Sequence, residues 1–350
     1  MKKIYIMHAA VAHTSPYMSA LTFWLNKAGY QAIYVSNIYE KFYEEGERAY
    51  IYLHRLGRMY NNLSSRSADD FINRLKFLKI KGFKLLWTIH NFYPLTVEPN
   101  FIDKTVIINV GQLADCVFSH TETMRKNAEI LLGRKVINHG YGTDFKMDED
   151  KSRFGNYVLN SVFTLGFLGN IRSYKNIEML LEVFFDIEQS INNLHLLIAG
   201  PYYDNYSREF LQSVQHQNTN IHVVGRFVSD PEKFAKYVDT FVCTYDVDFP
   251  QFKYGFFPSS IASLGMLKRP VICPRCDSIL DVISVESNAI LYNSCEKESL
   301  NDAINTAYDM TSCERDVMAR NLKKHLSIQT WEKVVNIIDN SIKEVEKNGS

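Results

Sequence analysis

The sequence predicts an α/β protein made of two Rossmann-like, doubly wound parallel-sheet domains. Short apolar runs alternate with amphipathic helical stretches along nearly the whole chain, and glycine, proline or polar turns close most of the runs. At 350 residues the chain exceeds one core of roughly 100–200 residues, so two domains are expected, over 1–150 and 151–330. A last helix over 331–350 is expected to cross back to the first. Hydrophobic content of 46%, with 21 Tyr and 22 Phe, supports large interiors and excludes a disordered chain.

In the first half, 3–8 reads as a strand and 19–28 as an amphipathic helix closed by Gly29. Between them AAVAHTSPY forms a loop of small residues at the carboxyl edge of a strand, where open α/β sheets place ligands. His13, Ser15 and Tyr17 are its side chains with chemistry to offer. Further strands are expected at 30–35 and 50–53. KLLWTI, at 84–89, is a strand that ends in His90-Asn91. An imidazole there can accept a proton or hold a hydroxyl, and a satisfied structural histidine fits the residues equally well. A helix over 103–114, a strand over 115–119 and a helix capped by Thr121 and Glu122 and ended by Gly133 follow. KVINHGYGTDF, with His139, is a turn, and the polar stretch 146–156 reads as a linker.

One segment of this half is basic. Arg55, Arg58, Arg66, Arg74, Lys76, Lys79, Lys81 and Lys84 are opposed by Asp69 and Asp70, and Phe71, Leu75 and Leu78 recur at helical spacing. Two readings are open: a helix with a solvated basic face, or a surface that meets an anionic membrane or a lipid-diphosphate acceptor.

The second half opens on VFTLGFLGNIRSYKN, at 162–176: an apolar strand, a glycine turn at Gly169 and the start of a helix that continues through Ile177, Leu180, Leu181 and Phe184. Backbone N–H groups at such a helix start, together with Arg172 and Lys175, suit a diphosphate. A strand–helix loop with two solvated bases is the other reading. Strands at 194–199, 221–224, 240–244 and 271–273 follow, the first two ended by Gly200-Pro201 and Gly225-Arg226. Helices are expected at 178–190, 207–215, 230–237, 259–267, 300–309, 313–326 and 331–345. The alternation implies parallel strands with right-handed crossovers.

Zero formal net charge gives no support for nucleic acid as a partner. Six scattered cysteines favour reduced thiols over a disulfide framework. Cys273 and Cys276 form a C-x-x-C that could be a redox pair, half a zinc site, or a strand end with its loop; no second C-x-x-C or spaced histidine pair accompanies it. Asp246 and Asp248, a D-x-D just after a strand, are a candidate for a metal. His8, His13 and Pro16 interrupt any apolar leader, and no run approaches the roughly 20 apolar residues of a membrane span, so a cytoplasmic location is expected.

The segments LGFLGNIRSYKNIEMLLEVF, LHLLIAG, IHVVGRF, TFVCTY, GFFPSSIASLGMLKRPVI and NAILYNSCEKESLNDAI occur in an order that resembles the second domain of GT-B glycosyltransferases, specifically the family 4-like bacterial polysaccharide enzymes. HTSPYMSALTFWLNKAGYQAIYV, KLLWTIHNFYPL and VINHGYGTD resemble first-domain segments of the same group. The resemblance implies two domains facing a central cleft, a UDP- or GDP-linked sugar as donor, and a glycan, lipid-linked saccharide or glycoprotein as acceptor. Lys175 matches the lysine that holds the donor diphosphate. The usual arginine position is Asn170 here, with Arg172 two residues on as its substitute. Arg226, Phe227 and Val228 fall on or beside the loop near the nucleotide base, and Gly169 and Gly200 on donor-side turns. His90 matches the histidine beside the transferred sugar.

The catalytic set implied is therefore His90, Arg172 and Lys175, and the acceptor or cleft set is His13, Ser15, Tyr17, Asn91 and His139. The sequence departs from the family pattern where two glutamates would frame the turn before PVI: those positions hold Gly255 and Ser263. A serine-rich turn, Pro258-Ser259-Ser260 with Ser263, stands there instead, and its hydroxyls and helix-start N–H groups can bind ribose or phosphate. Relatives of this fold generally hold the diphosphate with cations and helix dipoles, so no metal and no cofactor are expected. The missing glutamates leave stereochemistry open and keep a second reading alive, a non-catalytic GT-B partner subunit. A sugar-nucleotide epimerase needs carboxylates that this sequence does not place.

Overall fold

A computed structural model describes residues 1–7, 15–44, 49–94, 98–144, 163–203 and 205–348. The chain divides into two compact units, the first comprising Met1–Lys146, Pro250–Phe257 and Gln329–Ser350, the second Met147–Phe249 and Pro258–Ile328. The stretch 250–257, expected within the second domain, thus belongs to the first unit. The expected linker at 146–156 lies outside the described residues.

The first unit holds β1 (Lys2–Met7), α1 (Pro16–Lys27), β2 (Tyr30–Val35), β3 (Tyr50–Leu53), α2 (Ser65–Ile80), β4 (Lys84–Thr88), α3 (Phe101–Leu113), β5 (Cys116–Ser119), α4 (Glu122–Leu132) and β6 (Ile137–Asn138). All strand pairs are parallel, in the order β2-β1-β3-β4-β5-β6. β3 and β5 are buried throughout because both faces are covered, which is why they read as unbroken apolar runs. The stripe of Phe71, Ile72, Leu75 and Leu78 on α2, with Val106, Ile107 and Val110 of α3 and Met124 and Ala128 of α4, fills one face. Thr121 caps α4 by accepting from the Met124 N–H. The start of α3 carries a capping box that the sequence reading missed. Asn100 accepts from the Ile102 and Asp103 N–H groups, and the Asp103 carboxylate returns to the Asn100 N–H, so the helix begins at Phe101.

The second unit holds β7 (Phe163–Leu168), α5 (Ile177–Ile187), β8 (Leu194–Ala199), α6 (Asn205–Gln217), β9 (Ile221–Val224), α7 (Pro231–Ala235), β10 (Thr240–Val242), α8 (Ser259–Gly265), β11 (Val271–Pro274), α9 (Asp277–Ile283), β12 (Ile290–Tyr292), α10 (Lys297–Asp309) and α11 (Ser312–Leu326). Its parallel strands run β12-β11-β10-β7-β8-β9. The chain therefore steps outward from β7 through β8 to β9, then returns to the other side of β7 with β10. The crevice beyond the carboxyl ends of β7 and β10 is the switch point at which such sheets bind ligands. Apolar residues of α5, α6 and α10 share one core with β7 and β8. The C-x-x-C spans a strand end: Cys273 is buried in β11 and Cys276 precedes α9, both as free thiols. Burial raises both, Cys276 to about 11, the opposite of the depressed value a redox-active thiol needs.

α12 (Trp331–Asn348) returns to the first unit and packs with α1 on the face opposite α2, α3 and α4. Trp331, Val334, Val335, Ile338 and Ile342 are its buried row. The Glu346 carboxylate accepts from Tyr50 and from Lys2, and Tyr30 donates to Asp339 at 2.7 Å. Trp331 is fully buried. Trp331→Ala is expected to cost about 3–5 kcal/mol, read as a lowered urea midpoint for the first unit. An unchanged midpoint would show that α12 contributes little to that core.

Candidate active site

At the carboxyl edge of the second unit's sheet, β7 ends at Gly169 and a 3-10 turn, Ser173–Lys175, leads into α5. Lys175 is only 4% exposed. Its Nζ donates to Tyr245 Oη at 2.7 Å and to Ser260 Oγ at 2.8 Å, and stands 3.9 Å from the centre of the Tyr245 ring. Two bonds to backbone carbonyls join the β7 and β10 loops: the Thr244 side chain donates through Oγ1 to the Lys175 carbonyl, and the Asp246 N–H to the Tyr174 carbonyl. Burial pushes the Lys175 ammonium below its usual pKa, since the charged form has lost its water, with a smaller push from Arg172. Arg172 lies over the Tyr203 ring at 4.2 Å, and its Nε is buried with no hydrogen-bond partner among the described residues. No carboxylate pairs with either cation among the described residues.

The glycines shape this edge. A Cβ on Gly200 would lie 1.8 Å from the Gly169 carbonyl oxygen, so only glycine lets the ends of β7 and β8 approach this closely. A Cβ on Gly169 would sit 3.5 Å from Ser260 Oγ and 3.9 Å from Lys175 Nζ, directly against the lysine–serine pair. Asn170 is exposed, as are Arg226 and Phe227, whereas the Val228 side chain is buried in the core and has only its backbone to offer a ligand.

Some N–H groups of these turns are used within the chain. The Lys175 and Asn176 N–H groups close the 3-10 turn onto the Arg172 and Ser173 carbonyls. α8 is only seven residues long, and the Ile261 and Ala262 N–H groups both bond the Pro258 carbonyl. The positive charge here is carried by side chains. Ser260 faces Lys175, while Ser259 and Ser263 are exposed.

Gly255 occupies a turn at φ +96°, a backbone that glutamate would adopt only under strain, which gives a physical reason for the missing carboxylate. Asp246 Oδ1 accepts from the Asp248 N–H at 3.0 Å and from Cys295 Sγ at 3.5 Å, an internal loop lock. Among the described residues no group of three or more His, Cys, Asp or Glu side chains is placed to hold a metal ion.

The first unit carries a second cluster, at the carboxyl ends of four adjacent strands. His54 follows β3, His90 follows β4, His120 follows β5 and His139 follows β6; register pairs such as Leu53 with Trp87 and Ser119 with Asn138 align those ends. His54 Nδ1 meets His90 Nε2 at 2.9 Å, and His90 Nδ1 meets His120 Nε2 at 3.1 Å. His120 Nδ1 and His139 Nδ1 both bond the Gly140 carbonyl, at 3.0 and 2.7 Å, and His139 Nε2 bonds Thr88 Oγ1 at 3.0 Å. The Tyr17 ring stands edge-on to His90 at 4.8 Å, among His120, Tyr141 and Trp331, and its buried hydroxyl has no partner among the described residues. Burial holds His90 well below its usual pKa, helped by His120, His54, Arg55 and His139, and lowers His120 to about 4 and His139 to about 3.

The sequence reading named His90 and His139 but missed His54 and His120. The signal was the repeated pattern of a histidine directly after an apolar strand, in IYLH and VFSH as in WTIH. Both ring nitrogens of His90 and of His139 are bonded within the protein, so proton transfer by His90 requires one of its histidine bonds to break. Asn91 uses its amide on the Tyr93 carbonyl and its backbone on Phe256, a structural task. Ser15 precedes α1 without a side-chain capping bond, and His13 lies outside the described residues. In the second unit the missed residues are Tyr203 and Tyr245, each just past a strand end.

The basic segment is also changed by the structure. Its apolar stripe, Phe71, Leu75 and Leu78, is core and is not open to a membrane. Arg74 is tied to the Ile38 and Glu40 carbonyls, Lys79 to the Leu113 carbonyl and Asp115, and Lys84 stands 3.9 Å from Asp115. Phe77 and Ile80 are exposed on α2 beside Lys76 and Lys81. No helix of the described residues is long and apolar enough to cross a membrane.

Two parallel six-stranded sheets, each flanked by helices, define the GT-B glycosyltransferase fold, and solved structures agree over almost the full chain. Anabaena HepE, solved with UDP and glucose, superimposes with a TM-score of 0.66 at 13% identity, covering 99% of this chain and 100% of that one. Sucrose-phosphate synthase from Thermosynechococcus elongatus gives 0.69 at 12% identity, covering 99% and 100%. Residues 162–310 match the model of the glycosyl transferases group 1 family, and the chain is a glycosyltransferase. A curated relative, the capsular polysaccharide biosynthesis glycosyltransferase CapM of Staphylococcus aureus, is 24% identical over 282 residues, 79% of this chain and 70% of its own length.

The neutral, buried histidines predict the acid behaviour of the first unit. An unfolded histidine takes a proton near pH 6.5, whereas His120 resists until about 4, so between these values the unfolded chain binds more protons and stability rises with pH. The urea midpoint should fall as pH drops from 6.5 towards 4, with His120 alone accounting for on the order of 3 kcal/mol. A midpoint independent of pH over that range would mean the rings are not held neutral.

Proposed function

We propose that this glycosyltransferase moves a hexosyl group from a UDP- or GDP-linked sugar to a saccharide acceptor, free, lipid-linked or on a glycoprotein, in the building of a bacterial surface polysaccharide. One observation carries the reading: a buried ammonium and a half-buried guanidinium, Lys175 and Arg172, stand at the sheet's switch point held by hydroxyls and rings, with no carboxylate to neutralise them among the described residues. As the bond from the sugar's anomeric carbon to the diphosphate breaks, negative charge grows on the leaving oxygen. Fixed cations in a site with little water stabilise that charge without rearranging. Tyr245 and Ser260 set the ammonium in place beforehand, and an arriving diphosphate restores the charged state that burial disfavours.

The proposal places the leaving group on side chains and not on a metal ion. The relatives point the same way as to substrate class: HepE was solved with UDP and glucose, and CapM is named for capsular polysaccharide synthesis. Lys175→Ala should lower kcat by about 10²–10³-fold against its best UDP- or GDP-sugar, while the melting temperature stays close to that of the parent and parent turnover persists in EDTA. A folded Lys175→Ala enzyme with full turnover would remove Lys175 from the mechanism.

A lipid-linked acceptor would bring the enzyme to a cytoplasmic membrane face. Lys76 and Lys81 with the exposed Phe77 and Ile80 are the part of the basic segment suited to rest on anionic lipid. Sedimentation with phosphatidylglycerol vesicles should fall when Lys76 and Lys81 are both changed to Glu; equal sedimentation of parent and variant would rule this surface out.

A further inference from the structure

The imidazole chain of the first unit has a direction. A carbonyl can only accept, so the Nδ1 atoms of His120 and His139 that face the Gly140 oxygen both carry hydrogen. A neutral ring carries one hydrogen, which makes His120 Nε2 an acceptor, and the hydrogen in the 3.1 Å contact must come from His90 Nδ1. By the same step His90 Nε2 accepts, from His54 Nδ1 at 2.9 Å. His139 Nε2 likewise accepts from Thr88 Oγ1, which leaves the Thr88 oxygen to accept from Tyr52 at 2.7 Å.

Two other uses of such a cluster fail on geometry. His54 and His120 bond opposite nitrogens of the His90 ring, so the three cannot converge on one metal ion. Proton conduction fails because the chain ends on a carbonyl that takes no proton. What remains is orientation.

We propose that His120, anchored by the Gly140 carbonyl, is a positioning residue that fixes His90 with its hydrogen on Nδ1 and its lone pair on Nε2. Any sugar hydroxyl that reaches His90 then shares or takes over the Nε2 lone pair now held by His54, and must approach as a donor. His90 enters the reaction as a hydrogen-bond acceptor and not as an acid or a cation. This functional consequence rests on the glycosyl transfer proposed above; the hydrogen placement does not. Burial of His54, His120 and His139 around a partly exposed His90 supports it, because the neutral ring is the form a site poor in water favours.

The test uses the full chain with ¹⁵N-labelled histidine. Long-range ¹H–¹⁵N correlation at pH 7 should show His90, His120 and His139 each with hydrogen on Nδ1 and none on Nε2. His120→Phe removes the acceptor for His90 Nδ1; the His90 signals should then move towards a mixture of tautomers, and kcat should fall about tenfold or more with the donor KM little changed. His120→Gln, whose amide oxygen can accept from His90 Nδ1, should keep the parent pattern and most of the turnover. A His90 ring in the parent enzyme with hydrogen on Nε2, or on both nitrogens, overturns the proposal. So does a His120→Phe enzyme with unchanged His90 signals and unchanged kcat. The spectra are read without substrate, so a parent enzyme inactive with every donor counts against the proposed reaction and not against the tautomer.

Discussion

A buried ammonium without a carboxylate is the constraint around which the second unit is arranged. Taking Lys175 out of water costs several kcal/mol unless its hydrogens are met, and here two oxygens and an aromatic face meet them. Each partner comes from a different place in the chain: Lys175 from the turn after β7, Tyr245 from the loop after β10, Ser260 from the first turn of α8. The strand order brings these together, because β10 returns to lie beside β7 after two strands have been added on the other side. Gly200 completes the arrangement by letting the carboxyl ends of β7 and β8 close to a distance that no side chain would permit.

Such a site is pre-organised for an anion and under-compensated until one arrives. Hydroxyls and rings stabilise a cation less than a carboxylate does, and a carboxylate would have neutralised the charge that a departing diphosphate needs.

The first unit uses the carboxyl edge of its sheet differently. Four rings are aligned by parallel register, and one backbone carbonyl sets where their hydrogens lie. The ring-to-ring bonds and the Gly140 carbonyl fix the orientation of His90, His120 and His139. The Tyr17 hydroxyl is an open position beside them among the described residues.

Much of this was written locally. Apolar runs, helical periods and turn residues fixed the α/β class and most strands, since period and propensity act over a few residues. The motif around 162–176 located Lys175 and Arg172 for the same reason, and the strand end WTIH located His90. What the sequence left undecided depended on residues far apart in the chain: that 250–257 joins the first unit, that Lys175 bonds Tyr245 and Ser260, that His54 and His120 take both nitrogens of His90, and that the stripe of Phe71, Leu75 and Leu78 is core. Strand order and register decide which strand ends become neighbours, and no local pattern encodes either. The residue types that make chemistry possible belong to the sequence by itself; the partners that set their charge, tautomer and exposure belong to the tertiary structure.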